Sequence, residues 1–214
     1  MTMTYKTEIQ CPVCNTEFTG YKFASTSIFG RYTDFREMHS GYDPREEMIA
    51  TCPTCGFTDY SSNYDKHPAV TDDLREFIER ELTPYVEERQ PTSLKFEFLA
   101  LLDEFRGKEV MVIADSYLRA AWASGNVDTE TSYRRIAIRF FKHAIEEGNL
   151  PSEEALTITY LIGELYRRVG NQEFAITWFN RAIRESEKSN DEQAQRIIEI
   201  AKQQRDDPKD MFGK

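Results

Sequence analysis

Hydrophobic positions along this chain change their period once. Before Thr71 they fall in short β-favouring stretches, around Phe18 to Phe23, Ile28 to Phe35 and Glu47 to Thr51, with turn signals at Ser40-Gly41 and Asp43-Pro44. Such runs predict two or three short antiparallel strands. From Thr71 the spacing becomes helical. Leu74, Phe77, Ile78 and Leu82 share a face behind the start signal Thr71-Asp72-Asp73. Ser93 opens a second helix through Leu94, Phe98, Leu101, Leu102 and Phe105, which ends at Gly107. A third carries Val110, Ala114, Tyr117, Leu118, Ala121 and Trp122 and stops at Gly125-Asn126. Further helices are expected near 130–147, 152–169, 172–188 and 191–205, bounded by Pro151, Gly170-Asn171 and Ser189-Asn190. The pattern predicts a mainly α chain: a small β module over 1–70, an antiparallel helical array over 71–207, and a flexible C-terminal tail over 208–214.

Within the array, Leu156 to Ser189 spans 34 residues, the period of a tetratricopeptide repeat. Ile162, Gly163 and Tyr166, then Gly170 at the turn, then Ala175, Phe179 and Ala182 stand at the repeat's offsets. Gly163 and Ala175 let two helices approach closely, Tyr166 and Phe179 fill the space around them, and Ala182 admits the next helix. This segment resembles a tetratricopeptide repeat, and Asp191 to Arg205 resembles the solvating helix that caps such arrays. Between 93 and 150 the pattern is degenerate. Phe98, Leu102 and Phe105 with Ala114, Leu118 and Ala121 give one framing, and Ala137, Phe141 and Ala144 after an insertion at Gly125 to Thr131 give another.

Charge narrows the partners. The chain of 214 residues carries a formal net charge of −10, and 71–130 alone hold 7 basic against 14 acidic side chains. A surface of this sign repels phosphate backbones, and no basic stripe offsets it, so nucleic-acid binding is not expected. No run approaches the roughly 18 apolar residues of a membrane span, and Met1 to Gln10 is polar, unlike a secretory signal. A cytoplasmic location is expected.

All four cysteines fall in two matching turns, Cys11-Pro12-Val13-Cys14-Asn15 and Cys52-Pro53-Thr54-Cys55-Gly56. One C-x-x-C turn can present two thiolates to a tetrahedral metal, and two such turns close its shell. The residue after each pair suits a positive φ, which Gly accepts freely and Asn tolerates. Proline in each turn limits the entropy lost on ordering. One Zn2+ bound by Cys11, Cys14, Cys52 and Cys55 is therefore expected. Iron is the alternative, because a rubredoxin-type site uses the same ligands. His39 and His67 lie within and just after the 37-residue connection from Asn15 to Thr51, and with four thiolates present both are expected to be exposed or hydrogen-bonded locally.

These cysteine pairs, with Arg31-Tyr32-Thr33-Asp34-Phe35, Gly41-Tyr42-Asp43-Pro44 and the following Gly56-Phe57, resemble a bacterial family of uncharacterised proteins, domain of unknown function 2225. The resemblance extends to about residue 205. It implies a metal-binding ribbon joined to helical repeats and carries no activity, substrate or catalytic residue.

The leading functional reading is a protein-interaction adaptor. The inner wall of a helical array comes mainly from the first helix of each repeat, which here presents Thr157, Tyr160, Glu164, Arg167 and Arg168. Two adjacent arginines could hold a peptide carboxylate, and Tyr160, Glu164, Arg167 and Arg168 are the candidate partner-binding residues. The bland alternative is a set of solvated helix charges. An enzyme is not expected: every cysteine is committed to metal, three histidines exist, and neither a Gly-rich phosphate loop nor a G-x-S-x-G elbow occurs. Electron transfer through iron is the third reading.

Overall fold

Each cysteine turn closes a two-stranded hairpin. In the computed structural model, which describes residues 2–67, 70–189 and 191–212, β1 (Met3–Gln10) pairs antiparallel with β2 (Glu17–Ser25) across the first turn, in the register Ile9↔Phe18 and Gln10↔Glu17. β5 (Ile49–Thr51) and β6 (Thr58–Tyr60) pair the same way across the second, with Thr51 opposite Thr58. Between them β3 (Ile28–Arg31) and β4 (Glu37–His39) form a third hairpin. The pattern alone did not predict β1: of its side chains only Ile9 is buried, so its alternation reads as a polar tail. At Asp43-Pro44 the expected turn is the start of a short helix, α1 (Pro44–Met48). The Asp43 carboxylate accepts from Arg45 N at 2.9 Å and Pro44 takes the first turn, where its missing N–H costs nothing.

After a 3-10 segment over Ser61–Lys66 the helices follow in order: α2 (Asp72–Glu81), α3 (Thr92–Phe105), α4 (Val110–Trp122), α5 (Val127–Glu147), α6 (Ser152–Arg168), α7 (Gln172–Ser186) and α8 (Glu192–Asp206). Caps set their starts. Thr71, Asn126, Asn171 and Asp191 each accept backbone N–H bonds from the first turn. Asn126 brings the start of α5 forward to Val127, so most of the expected insertion at 125–131 is helical. Asn190, read as a boundary, lies outside the described residues.

Helices α3 to α8 pack each against the next, and α6 also touches α8. Gly163 on α6 faces Phe179 on α7 so closely that a Cβ there would lie 2.8 Å from the ring. No helix among the described residues is long and apolar enough to cross a membrane.

The expected division at residue 70 does not separate two cores. Ile9, Cys11, Val13, Cys52, Phe57 and Tyr64 share one apolar cluster with Leu74, Ile78 and Leu82 and with Phe98 and Leu102 of α3. Three small hairpins supply too few apolar residues to enclose themselves, so the faces of α2 and α3 complete their core. A second cluster joins α3 to α6 around Leu118, Phe141, Ile162 and Leu165, and a third joins α6, α7 and α8 around Tyr160, Phe179 and Ile197.

The C-terminal tail, expected to be flexible, lies against the fold over its described residues. Met211 bridges Tyr32 in β fashion, Thr33 N donates to Asp210 O at 3.0 Å, and Phe212 N donates to Arg31 O at 3.2 Å. This segment bends at Asp210 and docks through a single β-bridge. Residues 213 and 214 lie outside the described set.

Candidate metal centre and the filled groove

Both knuckles repeat one backbone pattern. Cys11 N donates to Thr16 O at 2.9 Å and Asn15 N to Cys11 O at 2.9 Å; Cys52 N donates to Phe57 O at 2.8 Å and Gly56 N to Cys52 O at 3.0 Å. The residue after each second cysteine has positive φ, 63° at Asn15 and 84° at Gly56, as the spacing predicted. At Gly56 nothing larger fits: a Cβ would lie 3.0 Å from Val86 Cγ2 and 3.1 Å from Leu82 Cβ.

These turns bring the four Sγ atoms within 4.8 Å of one another. Cys11 and Cys55 approach to 3.6 Å and Cys14 and Cys52 to 3.5 Å, each pair joining one knuckle to the other. A tetrahedral metal with sulfur at about 2.3 Å sets its sulfurs about 3.8 Å apart, whereas a disulfide needs about 2.05 Å. The four thiols are free, and their spacing fits one metal ion. Cys11, Cys52 and Cys55 are buried and Cys14 is half-buried.

Electrostatics gives the same answer. Cys52 has its pKa driven down by a hydrogen bond from Cys11 and then by one from Cys55. The Cys11 thiol is pushed up to about 12, chiefly by that bond to Cys52, and Cys55 is pushed up by Cys11 and Cys52. Crowding thus favours a thiolate at Cys52 and holds back ionisation of Cys11 and Cys55. A dication among them removes that conflict and favours four thiolates. Neither histidine belongs to the cluster. His39 Nδ1 lies 3.1 Å from Thr26 Oγ1, and His67 Nε2 lies 3.1 Å from Asp59 Oδ2.

Side chains from the helical half support the knuckles. Arg75 of α2 donates to the Val13 carbonyl, Thr83 Oγ1 donates to Cys55 O at 2.9 Å, and the Arg106 guanidinium lies 5.3 Å from the Phe57 ring centre. Beside Phe57 a cavity of about 710 Å³ is lined by Asp59, His67, Asp103 and Arg106 among others. Burial, with the Asp59 charge, pushes the Asp103 carboxyl up to about 6.

The expected partner wall is corrected. Tyr160 and Glu164 are fully buried, and the Arg167 and Arg168 side chains are only 13% and 15% exposed. The β3–β4 loop covers them. Tyr160 donates its hydroxyl to Thr33 O at 3.0 Å, and Thr33 Oγ1 donates to Glu164 Oε1 at 2.6 Å. Glu164 accepts from Arg167 Nε at 2.8 Å and from Arg168 Nε at 2.7 Å. Asp34, itself buried, accepts from Trp122 Nε1 at 3.0 Å and lies 3.5 Å from Arg134 Nη2. From the other side the Asp210 Oδ1 accepts from Arg167 Nη2 at 3.0 Å. These charges are paired across the fold, so neither the open wall nor the solvated-charge alternative describes them.

The loop tip is strained to reach them. Phe35 N donates to Tyr32 O and Tyr32 N to Arg36 O, a three-residue hairpin loop whose last position is left-handed. Glycine is usual there, but Phe35 occupies it with φ 67°. Its ring sits 5.4 Å from that of Tyr160 and 5.8 Å from that of Phe212, contacts that offset the backbone cost. Thr33, Asp34, Trp122, Arg134 and Asp210 were not singled out as site residues from sequence. For Thr33 and Asp34 the signal was the segment Arg31 to Phe35 in the family resemblance.

No curated protein and no solved structure matches the chain. The model of a family described as an uncharacterized protein conserved in bacteria, DUF2225, matches it over residues 4–207, and the chain belongs to that family.

Proposed function

We propose that this protein is a cytoplasmic protein-interaction adaptor built on a structural zinc centre. Zinc is the reading that a closed set of four thiolates supports: it leaves no coordination position for substrate, and the knuckles lie in the core that α2 and α3 complete. Metal binding of this kind supplies on the order of 10 kcal/mol to a small fold. Reduced, metal-committed cysteines suit a reducing compartment.

The observation that carries the adaptor role is the groove over α6. It holds residues 209–212 by backbone hydrogen bonds and by an arginine–acid contact. Edge pairing with a charged clamp is a recurring way of holding peptides. We read α6 and α7 as a tetratricopeptide-like repeat with α8 as its cap, which would make this groove the inner wall of the array. The test is reciprocal capture of a cross-linked partner by the zinc-loaded chain. A partner recovered in near-stoichiometric amount, and lost from a Cys52→Ser variant, is expected. A chain that stays alone in both directions counts against the reading.

Iron in the same site would make the protein an electron carrier, a reading favoured only by the identity of the ligands.

A further inference from the structure

The segment that fills the groove defines what the groove recognises. It touches the protein through few side chains. Most of its bonds come from its own backbone: the Lys209 carbonyl accepts from Arg167 Nη2 at 3.3 Å, and the Asp210 carbonyl accepts from Thr33 N at 3.0 Å and Arg168 Nη2 at 3.1 Å. Phe212 N then pairs with Arg31 O. Two side chains add discrimination. Asp210 meets Arg167, and the Phe212 ring packs on Phe35. Met211 between them is exposed and reads nothing.

The two sides of this contact are unequal. The groove charges are nearly buried, whereas the Asp210 side chain is 75% exposed and residues 207–211 all lie on the surface. Lifting the segment frees Arg167 from Asp210, leaves both arginines on Glu164, and gives up one packed side chain, Phe212. Segments held mainly by exposed backbone bonds lie at the low-stability end of a fold and open locally. The tether to α8 holds the segment near the groove at an effective concentration on the order of millimolar, so modest intrinsic affinity suffices to keep it docked.

We infer that this groove is a binding site for a protein segment with an aspartate two residues before an aromatic, and that residues 209–212 are its ligand in cis, which a partner must displace. The inference rests on the adaptor reading and names its partner chemistry and its control. An aspartate fits because Arg167 stands opposite its carboxylate and Arg168 opposite its carbonyl; an aromatic fits because strained Phe35 presents its ring there.

The probe is a fluorescein-labelled peptide of residues 208–214, titrated by anisotropy against the zinc-loaded full chain and against a chain ending at Asp207. Saturable binding to the shortened chain with a Kd below about 1 mM is expected, with at least roughly tenfold weaker binding to the full chain. Peptides carrying Asp210→Ala or Phe212→Ala should each bind the shortened chain about tenfold more weakly. A full-length chain carrying both substitutions in its own tail should bind the parent peptide as the shortened chain does, which guards against damage by truncation. A folded shortened chain with no saturable binding overturns the inference, as does equal binding by the full and shortened chains. Unfolding of both altered chains would make the segment a structural element and also overturn it. If peptide binding fails while reciprocal capture of a partner succeeds, the adaptor acts through another surface and only this groove is lost.

Discussion

Removing the Glu164 carboxylate should cost the fold several kcal/mol. The group is fully buried and accepts four bonds: from Thr33 Oγ1 at 2.6 Å, from Arg167 Nε and Nη2 at 2.8 Å each, and from Arg168 Nε at 2.7 Å. Glu164→Ala leaves two guanidinium groups and a hydroxyl facing a void. Breaking a buried ion pair by removing one partner costs about 3–5 kcal/mol. The lower end applies here, because Arg167 keeps Asp210 at 3.0 Å and Arg168 keeps Asp34 at 3.4 Å. A loss of about 3 kcal/mol is a large share of the 5–15 kcal/mol typical of a domain, and at this length it lowers Tm by roughly 6–12 °C. The assay is equilibrium urea denaturation, followed by far-UV circular dichroism and by fluorescence of Trp122, whose indole bonds Asp34 in the same cluster. Exposed Glu146→Ala is the control and should stay within about 0.5 kcal/mol. Glu164→Gln, which keeps shape and one acceptor, should fall between them. A Glu164→Ala loss below about 1 kcal/mol would refute the argument and return these residues to the status of solvated helix charges.

Three further outcomes are expected. Gly163→Ala gains about 1 kcal/mol of helix propensity but sets a methyl 2.8 Å from the buried Phe179 ring, so a net loss of about 1–2 kcal/mol is expected by thermal denaturation, and stabilisation would contradict the close packing. Asp103, raised to about 6, binds more protons folded than unfolded between about pH 4 and 6, so its contribution falls as pH rises through that window. Asp103→Asn should therefore raise stability by about 1–3 kcal/mol at pH 8 and change it little at pH 4; equal effects at both would exclude this source. Cys52→Ser should cost helical signal as well as the hairpins, because Leu74, Ile78 and Phe98 share the knuckles' core, and intact helical amplitude in circular dichroism would show two independent units.

What could be read from sequence was what is local. Helix limits followed from Thr71, Asn171, Asp191 and the glycines at 107 and 170, since caps act within one turn. The cysteine cluster followed from two repeated turns whose positive φ values at Asn15 and Gly56 were expected from residue type. The groove was not legible. Thr33 meets Glu164 across 131 residues and Lys209 across 176, and such pairings leave no period in the chain. Tyr160, Glu164, Arg167 and Arg168 were expected on an open wall, but the loop and the tail that cover them come from opposite ends of the sequence. For the same reason the boundary at residue 70 failed: a change of period marks where helices begin, and a shared core ignores it.

The central claim, a closed structural zinc centre, is tested most directly by elemental analysis combined with metal-edge X-ray absorption on protein purified without added metal. One zinc per chain with four sulfur neighbours at about 2.3 Å is predicted. Less than half an equivalent of metal, nitrogen or oxygen in the first coordination sphere, or iron in place of zinc would contradict it.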